Sequence, residues 1–291
     1  MKKKKILITG VSGFLGNKLA LTAADRFDVY ASTHKYPVNL KGVTSVKADL
    51  TDARQVGSLF EQVNPDMVFH LAAMSNPNQC EKNPHDSYEI NVSATRNLVD
   101  MARLNETLFV FTSSDLVFEG KNAPYKEQDM VRPVNRYGRQ KAEAEKSVLD
   151  YKAGTVCRMP LMFGEKSPYS GSFIQPMLQF LRANQKLNLF ADEIRTPLSS
   201  ERAAEGLLLI AEKRPKLIHL AGDEAVNRYE FGSMMCEMLG IGKELLIKRK
   251  LHEIEFEASR PENTSMDNSR AKSLGFNPGV LKEELRRVIE G

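Results

Sequence analysis

Tyr137 and Lys141 stand four residues apart in "VNRYGRQKAEAEKSV", and the helix predicted over 135–151 puts both on one face. A phenol ordinarily gives up its proton at about pH 10, and a neighbouring ammonium favours the phenolate, which brings such a Tyr toward use as a general acid/base. Pairs of this kind also occur on plain surface helices, so other residues must decide. Upstream, "TSSDLVFEG" (112–120) sets two hydroxyls and a carboxylate, Ser113, Ser114 and Asp115, directly after the apolar run "TLFVF" (107–111). That run predicts a buried strand, and α/β folds bind ligands at the carboxyl edge where such a strand ends.

A third group binds rather than reacts. "ITGVSGFLG" (8–16) spaces Gly10, Gly13 and Gly16 as G-x-x-G-x-x-G between a predicted first strand and a helix that opens with Phe14 and Leu15. Glycine allows the tight turn and the close approach of backbone to a pyrophosphate, and the helix N-terminus favours the anion. After the second predicted strand, "YASTHKYP" (30–37) carries Ser32, Thr33, His34 and Lys35 but no carboxylate. Sheets that bind NAD usually place an acid there for the adenosine ribose. Ser32 and Lys35 suit a ribose 2′-phosphate instead, so NADP(H) is favoured over NAD(H). "KADLTD" (47–52) supplies Asp49 and Leu50 at the expected adenine edge.

The elements that must position these groups alternate. Strands are predicted at 5–9, 28–32, 44–48, 67–71, 108–111 and 155–159, with helices at 14–25, 52–63, 84–104 and 135–151. Such alternation implies parallel βαβ units, and therefore an α/β fold built on a Rossmann-type, doubly wound parallel sheet. Beyond Pro160 the pattern changes to helices near 173–184, 200–212, 229–239 and 280–289, with one short strand at 216–221. The expected division is a dinucleotide-binding domain over 1–160, with elements returning from the second half, and a smaller, mainly helical substrate lobe over 161–291.

Composition excludes several classes. The net charge of +4 owes much to "MKKKK", which runs straight into the first strand and reads as a solvated lead-in rather than a nucleic-acid or membrane patch. No apolar run approaches the length of a membrane span. Cys80, Cys157 and Cys236 are scattered without metal or disulfide spacing, which fits a reducing cytoplasm. Asp192 and Glu193 are adjacent but lack companions, so no metal site is expected.

Taken in order, "TGVSGFLG", "ADL", "HLAA" (70–73), "INVSATRNL" (90–98), "FTSSD" and "YGRQK" resemble the extended short-chain dehydrogenase/reductase family along essentially the whole chain. The resemblance implies a bound nicotinamide dinucleotide and a Ser-Tyr-Lys set. Tyr137 would be the general acid/base, Lys141 would hold the nicotinamide ribose, and Ser114 would hydrogen-bond the reacting carbonyl. Ser113 competes for that last role, because adjacent strand residues face opposite ways. Leu71, Ala72 and Ala73 would line the cofactor and Asn91 would support the network. His70 reads as structural.

Within the family, sugar-nucleotide 4,6-dehydratases follow the hydroxyl residue with an Asp-Glu pair. Here Asp115 is followed by Leu116, which removes the second acid of an elimination. "SSDLVFEG" and stretches at 123–145, 158–165, 191–207 and 259–276 instead resemble the dTDP-4-dehydrorhamnose reductases. Leu116 for Tyr, Ser114 for Thr and Ser172 for Asn depart from that pattern. The implied reaction is reduction of a nucleotide-activated 4-keto-6-deoxysugar, with Asp115 near the sugar and Arg158, Arg195 and Arg260 as cationic candidates for its diphosphate. A homodimer is compatible with the resemblance. Two alternatives stand beside it: an NAD-dependent sugar-nucleotide epimerase, and a non-catalytic subunit like the regulatory subunit of methionine adenosyltransferase.

Overall fold

The computed structural model describes residues 3–34 and 37–290. Seven strands form the central sheet: β1 (Lys5–Thr9), β2 (Asp28–Thr33), β3 (Val43–Lys47), β4 (Met67–His70), β5 (Leu108–Ser114), β6 (Gly154–Met159) and β7 (Leu217–His219). All pair in parallel, in the order β7-β6-β5-β4-β1-β2-β3. The chain winds outward from β1 in both directions, so a crevice opens above the carboxyl ends of β1 and β4.

Five helices cover the sheet: α1 (Phe14–Ala23), α2 (Ala53–Val63), α3 (Ala94–Leu104), α4 (Arg136–Asp150) and α5 (Ser200–Lys213). Side chains of a strand alternate between faces, and here both faces are apolar. Ile6, Ile8, Val29 and Val110 pack with Leu19 of α1 and Leu207 of α5. Leu7, Val68, Phe109 and Phe111 pack with Phe60 of α2, Leu98 of α3 and Val148 of α4. The expected Rossmann-type sheet is thus present.

The chain returns across the division expected near residue 160, because α5 and β7 rejoin the sheet. Three further helices of the second half, Ile174–Arg182, Arg228–Leu239 and Leu281–Glu290, gather around Phe163, Leu181, Phe231 and Leu285 as a smaller lobe.

The second half carries short strands that the sequence reading did not predict, such as Leu187–Phe190 paired with Leu246–Arg249, and two further differences bear on the site. β5 continues through Ser114 instead of ending at Phe111, since Thr112, Ser113 and Ser114 stay in register with Cys157, Arg158 and Met159 of β6. The single helix expected over 84–104 is broken into Pro84–Tyr88, a π-helical turn at Glu89–Ser93, and α3. Such π turns recur where a side chain must be aimed inward. Here that side chain is Asn91, whose amide bridges the Met74 backbone and Gln140 of α4.

Candidate active site

The glycine loop comes first because it makes the floor. Gly10 has φ of +74°, and a Cβ there would lie 2.7 Å from the Ala72 nitrogen. At Gly16 a Cβ would strike the Gly10 carbonyl oxygen, so neither position accepts a side chain. Gly13 is the N-cap of α1 and offers no capping side chain, which leaves the first N–H groups of the helix free for an anion. The residues present therefore fit a dinucleotide pyrophosphate.

Above this floor lies a cleft of about 820 Å³. The glycine loop, Phe14 and Leu15 form one wall, and Leu71, Ala72 and Ala73 form the next. Ser32, Thr33, His34, Asp49 and Leu50 close the adenosine end, and Tyr137 and Lys141 close the other. Lys35 lies outside the described residues. Asp49 accepts from the Thr51 hydroxyl at 2.7 Å and from its N–H at 3.0 Å, and these bonds hold its carboxyl below the ordinary value. His34 sits 3.6 Å from the same carboxylate.

One chain of hydrogen bonds fixes the loop after β4. Thr9 Oγ1 accepts the N–H groups of Leu71 and Ala72, both at 3.1 Å, so its own proton goes to His70 Nδ1 at 2.7 Å. The Thr95 hydroxyl donates to the Asn91 carbonyl, which makes His70 Nε2 the nitrogen that donates to Thr95 Oγ1 at 2.9 Å. Burial, with the nearby Lys141 charge, depresses His70 to about 3, so the ring is neutral. His70 is structural, as expected.

At the reactive end, Asn135 caps α4 by accepting from the Gly138 N–H at 2.9 Å, which starts the helix one residue ahead of Tyr137. A Cβ on Gly138 would meet the Leu116 carbonyl oxygen, so glycine lets α4 close onto the turn after β5. Lys141 Nζ donates to the Thr112 carbonyl at 2.8 Å and lies 4.4 Å from the Phe111 ring centroid. Burial lowers its pKa to about 7.

The phenol moves opposite to the expectation. Burial raises Tyr137 far above the usual range and the Asp115 charge adds to this, while the Ser114 hydroxyl works the other way. Desolvation outweighs the ammonium because Lys141 Nζ stands 6.0 Å from the ring centroid and is already bonded to backbone.

The two serines separate clearly. Ser113 Oγ donates to Glu145 Oε1 at 2.5 Å, while Ser114 Oγ donates to Asp115 Oδ1 at 3.0 Å and accepts from Leu116 N. Ser113 contributes to the cleft wall, Ser114 sits with its hydroxyl beside the Tyr137 phenol, and Asp115 faces the second lobe. Asp115 is buried, accepts from the Thr264 hydroxyl at 2.8 Å and lies 3.4 Å from Arg195 Nε. Burial raises its carboxyl despite these partners. Asn91 is outside the wall and acts as a brace.

The three arginines differ. Arg158 is buried and bidentate on Glu145, at 3.0 and 2.8 Å, which takes it out of the cleft as a diphosphate candidate. Arg195 is buried too, between Asp115, Glu193 and the carbonyls of Pro261 and Glu262. Arg260 is half-exposed, stacks on Phe256 and has a buried Nε without a partner among the described residues. Sequence reasoning missed Glu145, Arg228 and Thr264. Arg228 pairs with Glu193 at 2.7 Å, and no local pattern announces that contact. Among the described residues no cluster of His, Cys, Asp and Glu could hold a metal ion.

The family model described as RmlD substrate binding domain matches residues 4–291. The chain is 28% identical over 289 residues to methionine adenosyltransferase 2 subunit beta of Bos taurus, covering 94% of this chain and 83% of that one. It is 26% identical over 307 residues to dTDP-4-dehydrorhamnose reductase of Aggregatibacter actinomycetemcomitans, covering 98% of each. The crystal structure of dTDP-4-dehydrorhamnose reductase from Bacillus anthracis in complex with NADP superposes with a TM-score of 0.87 at 21% identity, covering 99% of this chain and 100% of that one.

Proposed function

The chain belongs to the RmlD substrate binding domain family, of extended short-chain dehydrogenase/reductase type, and from that premise we propose that it is an NADPH-dependent reductase of a nucleotide-activated 4-keto-6-deoxysugar. The observation that carries this reading is a single cleft lined by the glycine loop at one side and by Tyr137 and Lys141 at its far end. Reduction of a ketone needs a proton donor at the oxygen. The Tyr137 phenol is that donor. Leu116, where a second acid would serve an elimination, points the same way.

The glycine loop and the α1 N-terminus would hold the pyrophosphate, and Ser32, Thr33 and His34 would meet the adenosine ribose, with Asp49 beside them held by Thr51. The reduced dinucleotide supplies the hydride. Ser114 hydrogen-bonds the carbonyl oxygen, and Tyr137 gives that oxygen its proton as C4 becomes the carbinol carbon. Lys141, itself buried at the cleft's far end, would hold the nicotinamide ribose and add positive charge beside the reacting oxygen. Arg260, with its unpartnered Nε, is the candidate for the substrate diphosphate.

A cytoplasmic location and a homodimer remain parts of this proposal. Among the described residues no helix is long and apolar enough to cross a membrane. The experiment is a panel of dTDP-, UDP- and GDP-linked 4-keto-6-deoxysugars with NADPH and NADH in turn, in which NADPH consumption with at least one sugar supports the reading.

Similarity to a methionine adenosyltransferase subunit favours a second reading, a binding partner without chemistry. Tyr137, Lys141 and Ser114 together count against it, since a pure partner has no chemical use for the set. Co-purification with a larger enzyme, and no turnover across the panel, would favour it.

A further inference from the structure

Tyr137, Lys141 and Glu145 form a row on α4, each four residues from the next, and the third member is an acid that the reaction above does not use. Glu145 is 3% exposed. Its carboxylate accepts from Ser113 Oγ on β5 and is gripped by Arg158 on β6 through two N–H groups. Ser113 belongs to the cleft wall and Lys141 bonds to the carbonyl of the residue before it. The acid is thus fixed behind the cleft on the same short span of β5 that holds the lysine.

We propose that Glu145 is a positioning residue, whose charge, locked by Ser113 and Arg158, keeps the Lys141 side chain an ammonium aimed into the cleft. This rests on Lys141 serving the reductase site proposed above. A lysine with its Nζ against the Phe111 ring in a dry cleft is pushed toward the neutral amine, which could not serve as a cationic holder. Burial lowers Lys141, and Glu145 is the largest influence raising it again. The other groups facing it do less. Tyr137 keeps its proton, His70 on β4 is neutral, and the buried thiol of Cys80 in the helix Pro77–Lys82 is raised. Arg158 in turn meets His219 Nε2 at 3.4 Å, the Glu127 carbonyl and the face of Phe118.

The test reads Lys141 directly, in the cofactor-free protein, by the pH dependence of its acetylation with acetic anhydride, measured by peptide mass spectrometry. Glu145→Gln removes the supporting charge, so the midpoint falls, and each unit of fall raises labelling below the midpoint about tenfold. Arg158→Gln leaves Glu145 less compensated, so the midpoint rises. Glu145→Asp keeps the charge and stays near wild type. If Glu145 served only packing, its loss would admit water and move the midpoint up toward an ordinary lysine, the opposite sign. Should Glu145→Gln prove poorly folded, Arg158→Gln and the double variant still decide, the double variant falling below Arg158→Gln. An unmoved or raised midpoint on loss of Glu145 overturns the proposal. None of these outcomes depends on substrate, so the result stands apart from the reductase reading.

Discussion

The Thr264 hydroxyl donates to Asp115 Oδ2 at 2.8 Å, which ties the second lobe to the residue that follows Ser114. Asp115 is in turn bonded by Ser114 and flanked by Arg195. Ser114 and the second lobe therefore share one buried carboxylate.

Thr264→Val should cost about 1–3 kcal/mol, because it strips a donor from a buried charge without changing the side-chain shape. Urea unfolding checks this, with exposed Thr44→Val as the control. Equal midpoints for the two variants would show that the bond carries no weight.

Tyr137→Phe should lower turnover by about 10²–10⁴ while leaving NADPH affinity nearly unchanged, as expected for loss of a proton donor. Ser114→Ala should act more mildly and chiefly on kcat. Steady-state kinetics with parallel cofactor titration separates the effects. A Tyr137→Phe protein with most of its turnover would remove the phenol from the chemistry.

Gly16→Ala should abolish measurable NADPH binding or unfold the loop, because the new Cβ would occupy the space of the Gly10 carbonyl oxygen. Gly57→Ala, on α2 with nothing near a Cβ, is the control and should bind as wild type. Isothermal titration gives the comparison, and normal binding by Gly16→Ala would contradict the packed turn.

Acid should weaken the fold through two histidines. His70 and His219 are buried and depressed to about 3 from an ordinary 6.5, the first mainly by burial, the second by burial and by Arg158. The unfolded chain takes up these protons first. Their stabilising contribution is thus full above about pH 6.5 and is lost as pH falls toward 3, at up to about 1.4 kcal/mol per unit for each. Denaturant unfolding between pH 7 and 4.5 should show this slope, and His219→Gln should remove its share. A slope unchanged in that variant would show that His219 does not titrate.

How far the site was legible depended on how local its parts are. The glycine loop, the Tyr137–Lys141 pair and the alternation of strands with helices in the first half rest on local spacing, and the structure has them in those segments. The break at Glu89–Ser93 was hidden because a π turn adds one residue without altering composition. The fate of Arg158 was hidden because its partner, Glu145, lies on α4, and only the packing of that helix on β6 brings the two together. Thr264 and Arg228 could not be read at all, since their roles exist only once the second lobe folds back on Asp115 and Glu193. The sign of the Tyr137 shift was missed for a physical reason: spacing shows a neighbouring charge but not how dry the site is.

The most direct measurement of the central claim is transfer of deuterium from NADPH deuterated at C4 of the nicotinamide to a nucleotide-linked 4-keto-6-deoxysugar. The expected product is a 4-hydroxy sugar one mass unit heavier, with deuterium at C4, formed by wild type and nearly absent with Tyr137→Phe. Retention of all deuterium in the dinucleotide across the full panel of keto-sugars, with the protein folded and NADPH bound, would contradict the reductase account.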